Sequence, residues 1–202
     1  MPRVDLVVTH GVFSIDGEDF EVDNNIWLVG NDDEVLVVDA AHDHRPIVEG
    51  IAGRKVVAII ATHGHNDHIN AAVALADATG APIALHPDDR MLWDVVYPSR
   101  PPDLEIHDGD TFRAGGVEVV AMHTPGHSPG GVSLYNAATG ELFGGDTLFK
   151  GGPGATGRSF SSREQILESI RTRILPLPPE TVVHTGHGDD TTVAAEAPAL
   201  AG

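Results

Sequence analysis

Residues 55–61 are almost entirely Val, Ile and Ala, and the seven residues that follow carry His63, His65, Asp67 and His68. A run of that composition reads as a buried β-strand. Its exit loop has the pattern His-x-His-x-Asp-His. Neutral imidazole nitrogen and carboxylate oxygen suit zinc and neighbouring transition metals, and a strand that ends abruptly in a loop aims several such groups inward together. A polar turn would also use Asn, Asp and Gly, but it needs none of the three histidines.

The same setting recurs downstream. Thr124-Pro125-Gly126-His127-Ser128 places a histidine past a strand ending near Met122, and Gly144-Gly145-Asp146-Thr147 places a carboxylate past another. Thr185-Gly186-His187-Gly188 follows a strand over 181–184. Each alone reads as a turn residue; together they make five histidines and two aspartates at strand exits, enough for two metal ions. Small glycines beside each candidate let a loop pass close to an ion. Cysteine is absent, which excludes a thiolate site, a disulfide framework and a cysteine nucleophile. The ions expected are two divalent metals, zinc first, with iron and manganese as the other candidates.

The rest of the chain predicts the scaffold. Short β-branched runs at 4–9, 12–15, 25–29 and 35–38 predict an antiparallel meander. Residues 43–50 predict a short helix with Pro46 in its first turn, 70–79 a helix closing at Gly80, 81–85 a strand, and 87–96 a further helix. A proline-rich surface connection over 97–102 follows. The second half predicts strands at 116–122, 131–135, 141–144 and 181–184 and an amphipathic helix over 163–175. Two β-rich halves, each with helices to cover one face, predict an α+β fold. It is a four-layer sandwich of two mixed sheets between helices, with ligands on loops at one shared edge. No linker divides residues 1–202, which read as one domain.

These motifs resemble the metallo-β-lactamase superfamily of metallo-hydrolases, and within it the glyoxalase II-like (hydroxyacylglutathione hydrolase-like) thioesterases, over nearly the whole chain. The resemblance implies the αββα fold. It also implies that His63, His65 and His127 hold one metal, that Asp67, His68 and His187 hold the other, and that Asp146 bridges both. Asp39 matches an early acidic position that orients a metal histidine; as a residue it reads equally as a helix N-cap. In Phe149-Lys150-Gly151-Gly152 and Gly157-Arg158-Ser159-Phe160 the chain is similar to the glycine-rich loop where a basic residue meets a carboxylate of the thiol carrier, which makes Arg158, then Lys150, the substrate-binding candidates. Three departures bear on glutathione as carrier: Pro153-Gly154-Ala155-Thr156 lengthens that loop, Phe160 stands where an aromatic hydroxyl would help, and no C-terminal helical substrate domain follows His187.

The implied activity is hydrolysis of a small-acid thioester. Two metals roughly 3.5 to 4 Å apart lower the pKa of a shared water, which attacks the carbonyl carbon as hydroxide. Asp67 and Asp146 are the catalytic candidates, orienting that water and accepting its proton. The alternative is a persulfide dioxygenase type with one iron on His63, His127 and Asp146. A β-lactamase comes third, because Asp146 occupies the place where those enzymes bring a different residue. A formal charge of −18, from 30 acidic against 12 basic residues, argues against nucleic acid and anionic membrane as partners. The partner expected is a small-molecule acyl thioester, with a homodimer as candidate assembly. No apolar leader or membrane-length segment is present, so the expected location is cytoplasmic. His10, His42, His44, His86, His107, His123 and His184 fit no ligand position and read as turn or surface residues.

Overall fold

A computed structural model describes residues 1–200. β1 (Arg3–Ile15) and β2 (Glu18–Gly30) form a long antiparallel hairpin, and β3 (Glu34–Val38) pairs with β2 in the same sense. β4 (Lys55–Ile60), β5 (Ile83–Leu85) and β6 (Leu104–Glu105) then add in parallel, giving a mixed sheet in chain order. Parallel neighbours need crossovers of a dozen or more residues. Here these carry α1 (His44–Ile51), α2 (Asn66–Ile69), α3 (Ala72–Thr79) and α4 (Arg90–Val96).

The second sheet is built from β7 (Thr111–Ala114), β8 (Val117–His123), β9 (Val132–Asn136) and β10 (Glu141–Gly145), all antiparallel. A two-stranded ribbon, β11 (Leu148–Phe149) with β12 (Gly152–Pro153), and helix α5 (Arg163–Ser169) intervene. β13 (Val182–Thr185) then lies parallel to β10, and β14 (Thr191–Thr192) closes the edge before α6 (Val193–Leu200).

Side-chain alternation along the strands decides the layering. On β2 and β3, Ile26, Leu28, Val35 and Val37 face the helices and pack with Ile47, Ile51, Leu75 and Trp93. Their neighbours Trp27, Val29, Leu36 and Val38 face the other sheet and meet Val119, Ala121, Leu134 and Phe143. Leu142 and Val183, on the far side of the second sheet, pack with Ile166, Ile170, Val193 and Leu200. The result is helix, sheet, sheet, helix. Each Leu or Ile taken from full exposure into such a core contributes about 1.5–3 kcal/mol.

Parallel pairing also places the site. Asp39 lies just past β3 and Thr62 just past β4, so two parallel strands deliver them side by side. Asp146 lies just past β10 and His187 just past β13, which are parallel as well.

Several elements differ from expectation for tertiary reasons. Runs 4–9 and 12–15 are one strand. Gly11 sits within it because the His42 ring packs there; a Cβ on Gly11 would lie 2.2 Å from His42 Nδ1. The helix expected over 70–79 starts as α2 at Asn66, breaks at Asn70–Ala71 and resumes as α3. At the break the Asn70 carboxamide accepts the His42 N–H and the Ala71 N–H goes to Ala40 O. The helix over 163–175 ends as α at Ser169 and closes with a π-turn, Ile170–Ile174, in which the Leu175 N–H reaches Ile170 O. No helix among the described residues is long and apolar enough to cross a membrane.

Candidate metal centre

The exit from β4 is fixed by Asp39, a non-glycine residue held at φ 63°. Its carboxylate accepts the Thr62 N–H (2.7 Å) and Thr62 Oγ (2.9 Å), and on the same side it accepts His68 Nδ1–H (2.8 Å). Asp39 therefore orients His68; the N-cap of α1 is Asp43, which accepts the Arg45 N–H. Because Thr62 Oγ gives its proton to Asp39, it accepts from His63 Nδ1 (3.1 Å). His127 Nδ1 donates to Ala155 O (2.8 Å) and His187 Nδ1 to Asp23 O (2.7 Å). In each of these four rings a fixed Nδ1 proton leaves Nε2 as the lone-pair nitrogen, the arrangement by which neighbours of a ligand histidine set its tautomer.

The lone pairs converge. His65 Nδ1 is 3.0 Å from His127 Nε2, and His68 Nε2 is 3.2 Å from His187 Nε2. Asp146 lies between the two pairs, with Oδ2 3.5 Å from His127 Nε2 and 3.4 Å from His187 Nε2, and Oδ1 3.4 Å from His68 Nε2. Asp67 Oδ2 is 3.4 Å from His187 Nε2. Within His63, His65 and His127, and within Asp67, His68 and His187, one donor atom per residue lies within 4.8 Å of the others; His63, His68 and Asp146 form a third such group between them.

This arrangement fits metal ions. His63 Nε2, Asp67 Oδ1 and Asp146 Oδ1 are buried without a hydrogen-bond partner, a costly state for polar atoms unless a cation completes it. Burial, reinforced by neighbouring imidazoles, holds His63 well below the usual histidine range and His65 at about 3, so both stay neutral and able to ligate. Burial also opposes charge on His68 and His187, yet the carboxylates outweigh it. Asp146, Asp67 and Asp39 raise His68 well above its ordinary value, and Asp146 leads in raising His187 to about 10. Burial opposes charge on Asp146 in turn, and His68 and His187 overcome it, holding that carboxyl well below its usual range. A buried, carboxylate-rich pocket that draws protons onto its own histidines is one that a divalent cation would neutralise.

Three supports were not legible as site residues. Asn24, on β2, donates from Nδ2 towards Asp67 Oδ2 (3.1 Å) and His68 Nε2 (3.2 Å), while its Oδ1 accepts from His42 Nε2 (2.8 Å). Asp89 is fully buried with no cation beside it; it accepts the N–H groups of Gly64 and Gly130 and the Ser128 hydroxyl, tying the His63–His65 loop to the His127 loop. Ala155, in the 153–156 stretch, supplies the carbonyl that holds His127. Asp89 sits in an ordinary-looking helical stretch and Asn24 in a strand, so only their long-range partners mark them.

The two substrate-binding candidates form ion pairs outside the His/Asp cluster. Arg158 pairs with Glu18 at the tip of the β1–β2 hairpin, with its guanidinium 5.5 Å from the Phe20 ring centre. Lys150 pairs with Asp189 at 2.9 Å on the surface. Two histidines expected at the surface are buried instead. His184 packs between Trp27 and Phe143, and His86 stacks on His123 with ring centres 4.2 Å apart and planes 8° from parallel. Although Asp88 is near that pair, stacked rings send their lone pairs along parallel planes, away from a common ion.

Fold and cluster together define a sandwich of two sheets with a His/Asp centre, able to hold metal ions, at the shared edge of its strands. The chain belongs to the metallo-β-lactamase superfamily, whose sequence profile matches residues 20–187 and whose members are mostly hydrolases. It is 34% identical to an uncharacterized protein of Aquifex aeolicus over 81% of this chain and 82% of that one. To the probable metallo-hydrolase YqgX of Bacillus subtilis it is 32% identical, over 85% and 88%. The hydroxyacylglutathione hydrolase GloC of Haemophilus influenzae is 27% identical, over 85% and 89%. Among solved structures, the BLEG-1 B3 metallo-β-lactamase superimposes with a TM-score of 0.81 at 29% identity, over 96% of this chain and all of that one. TTHA1623 in a di-iron-bound form gives 0.76 at 31%, over 87% and 93%.

Proposed function

We propose that the protein is a dinuclear metallo-hydrolase of acyl thioesters, with His63, His65 and His127 holding one ion, Asp67, His68 and His187 the other, and Asp146 shared. The observation that carries the reading is the second donor set. Asp67, His68 and His187 are complete, convergent and oriented by Asp39, Asn24 and Asp23 O, which a single-ion oxygenase would leave idle. The GloC relative supports the thioester, and the di-iron form of TTHA1623 supports two ions without choosing the element.

Bound divalent ions supply a Lewis acid for the carbonyl oxygen and a lowered pKa for water. The chain supplies the rest. The Asp67 and Asp146 carboxylates, whose Oδ1 atoms take no hydrogen bond from the protein, orient the attacking water at the carbonyl and accept its proton. A carbon–oxygen bond forms, the carbon–sulfur bond breaks with its electron pair going to sulfur, and water plus thioester become carboxylate, thiol and one proton. A thiolate leaves without a strong acid, consistent with a centre whose histidines are all turned towards donor roles.

The test is free-thiol release by metal-loaded protein presented with a panel of acyl thioesters, alongside elemental analysis. Two ions per chain and thiol release are expected; full occupancy with no thiol from any member of the panel sinks the reading. Oxygen uptake with a persulfide and one iron per chain would select the oxygenase instead. The likeness to BLEG-1 favours one further reading, β-lactam hydrolysis, and nitrocefin turnover decides it.

A further inference from the structure

Beside the centre lies a cavity of about 190 Å³ walled by Ile15, Leu92, Val95, Val96 and Phe160, with His65 at its floor. It is built rather than incidental. The hairpin is fastened to α2 by Asn66, whose carboxamide accepts the Ser14 N–H and donates to Val12 O. The opposite wall is clamped to the hairpin tip by the Ser159 N–H to Asp16 and by Arg158 to Glu18. Phe160 is held at φ 66°, a strained position for an aromatic residue, and its ring stays largely exposed at the cavity. Val95 is 81% exposed, an unusual place for a β-branched apolar side chain.

The chemistry of the walls selects the occupant. No lysine or arginine lines the cavity, and the only ionised group in its lining, Asp16, is acidic. Arg158, the cation best placed by sequence to meet an anionic carrier, is not among the lining residues and pairs with Glu18. An anionic thiol such as glutathione finds no partner here. The volume is below the roughly 300–1,000 Å³ of pockets that enclose drug-sized ligands, so the cavity takes one small group rather than a whole thioester. Resting on the thioesterase reading above, we infer that this cavity is the acyl pocket and that the preferred substrates carry a short apolar acyl chain, with the thiol carrier left in solvent.

The experiment uses metal-loaded protein and acetyl, butyryl and hexanoyl thioesters of one small uncharged thiol, with a hydroxyacyl thioester of glutathione for comparison. A methylene moved from water into an apolar wall is worth about a factor of four, so kcat/KM should rise about 16-fold from acetyl to butyryl. The glutathione thioester should be the slower substrate. V95D, at an exposed site that leaves folding undisturbed, should cut the butyryl-to-acetyl ratio at least about fourfold. The same ladder is read without turnover by calorimetric titration of acetate, butyrate and hexanoate. A flat ladder in both measurements, or a preference for the hydroxyacyl group, overturns the acyl pocket. An affinity ladder that V95D flattens, with no thioester cleaved, upholds the pocket and removes the thioesterase reading instead.

Discussion

Replacing Asp89 by alanine removes the acceptor for three donors at once. Oδ2 accepts the Gly64 N–H (2.8 Å) and Ser128 Oγ (2.7 Å), and Oδ1 accepts the Gly130 N–H (2.5 Å). The serine hydroxyl can turn to another acceptor, but the two backbone N–H groups cannot. Each buried donor left unpaired costs about 1–3 kcal/mol, so the pair sets a gross loss of roughly 2–6 kcal/mol. Relief works against that: burial raises the Asp89 pKa, and alanine removes a carboxylate that the interior disfavours. A net loss of about 2–4 kcal/mol is expected, measured as a lower urea midpoint of metal-free protein at unchanged m-value. Asp89→Asn separates packing from positioning. Its single carbonyl can keep Gly64 and Ser128 only by turning an NH₂ towards the Gly130 N–H, which loosens the loop that carries His127. Zinc affinity should then fall about 10–100-fold, the usual cost of losing a group that orients ligands. Unchanged urea midpoints for Asp89→Ala, together with unchanged zinc affinity for Asp89→Asn in a chelator competition, would refute the reasoning.

Asp39→Asn should also cost about 10–100-fold in metal affinity, since an amide cannot accept from Thr62 twice and from His68 Nδ1 as a carboxylate does; competition with a colorimetric chelator measures it, and a loss confined to one of two ions is the signature. Gly126→Ala combines a φ of 134° with a Cβ 2.2 Å from the Ile166 backbone nitrogen, so roughly 2–5 kcal/mol of stability should go. Thermal unfolding reads that, and a melting temperature within a degree or two of the parent contradicts the packing argument. Removing metal with a chelator should lower the melting temperature, because an ion held by the folded state alone stabilises it in proportion to the logarithm of its concentration over Kd. Re-addition of zinc or iron should restore the value, and a melting temperature indifferent to both would argue against the cluster as a metal site.

The fold was readable because its signals are local. Val-rich runs bounded by glycine and asparagine mark strands, and alternation along residues 26–29 and 35–38 gives each strand two apolar faces, as the middle of a layered sandwich requires. Boundaries failed where a distant partner decides them. Gly11 looked like a break in β1 until His42, some thirty residues away in sequence, was found to need its missing Cβ. The interruption between α2 and α3 belongs to Ala40 and His42, across the sheet edge, and no helix propensity could announce it.

The candidate centre divides along the same line. Five of its side chains stand in strand-exit loops and two, Asp67 and His68, on α2 directly after one; their motifs are written in consecutive residues, and the structure brings all seven together. What holds them is not consecutive with them. Asp89 reaches Gly64 and Gly130 across 25 and 41 positions, and Asn24 reaches Asp67 across 43. Arg158 shows the same limit from the other side, because charge type and loop position mark it as a binding candidate while its ion pair with Glu18, 140 positions earlier, is not legible from either segment. In a chain of net charge −18 most cations meet a carboxylate before they meet a ligand. That excess bears on substrate choice as well: with no lysine or arginine in its lining, the cavity beside His65 selects through apolar surface, and an anionic carrier gains nothing from it.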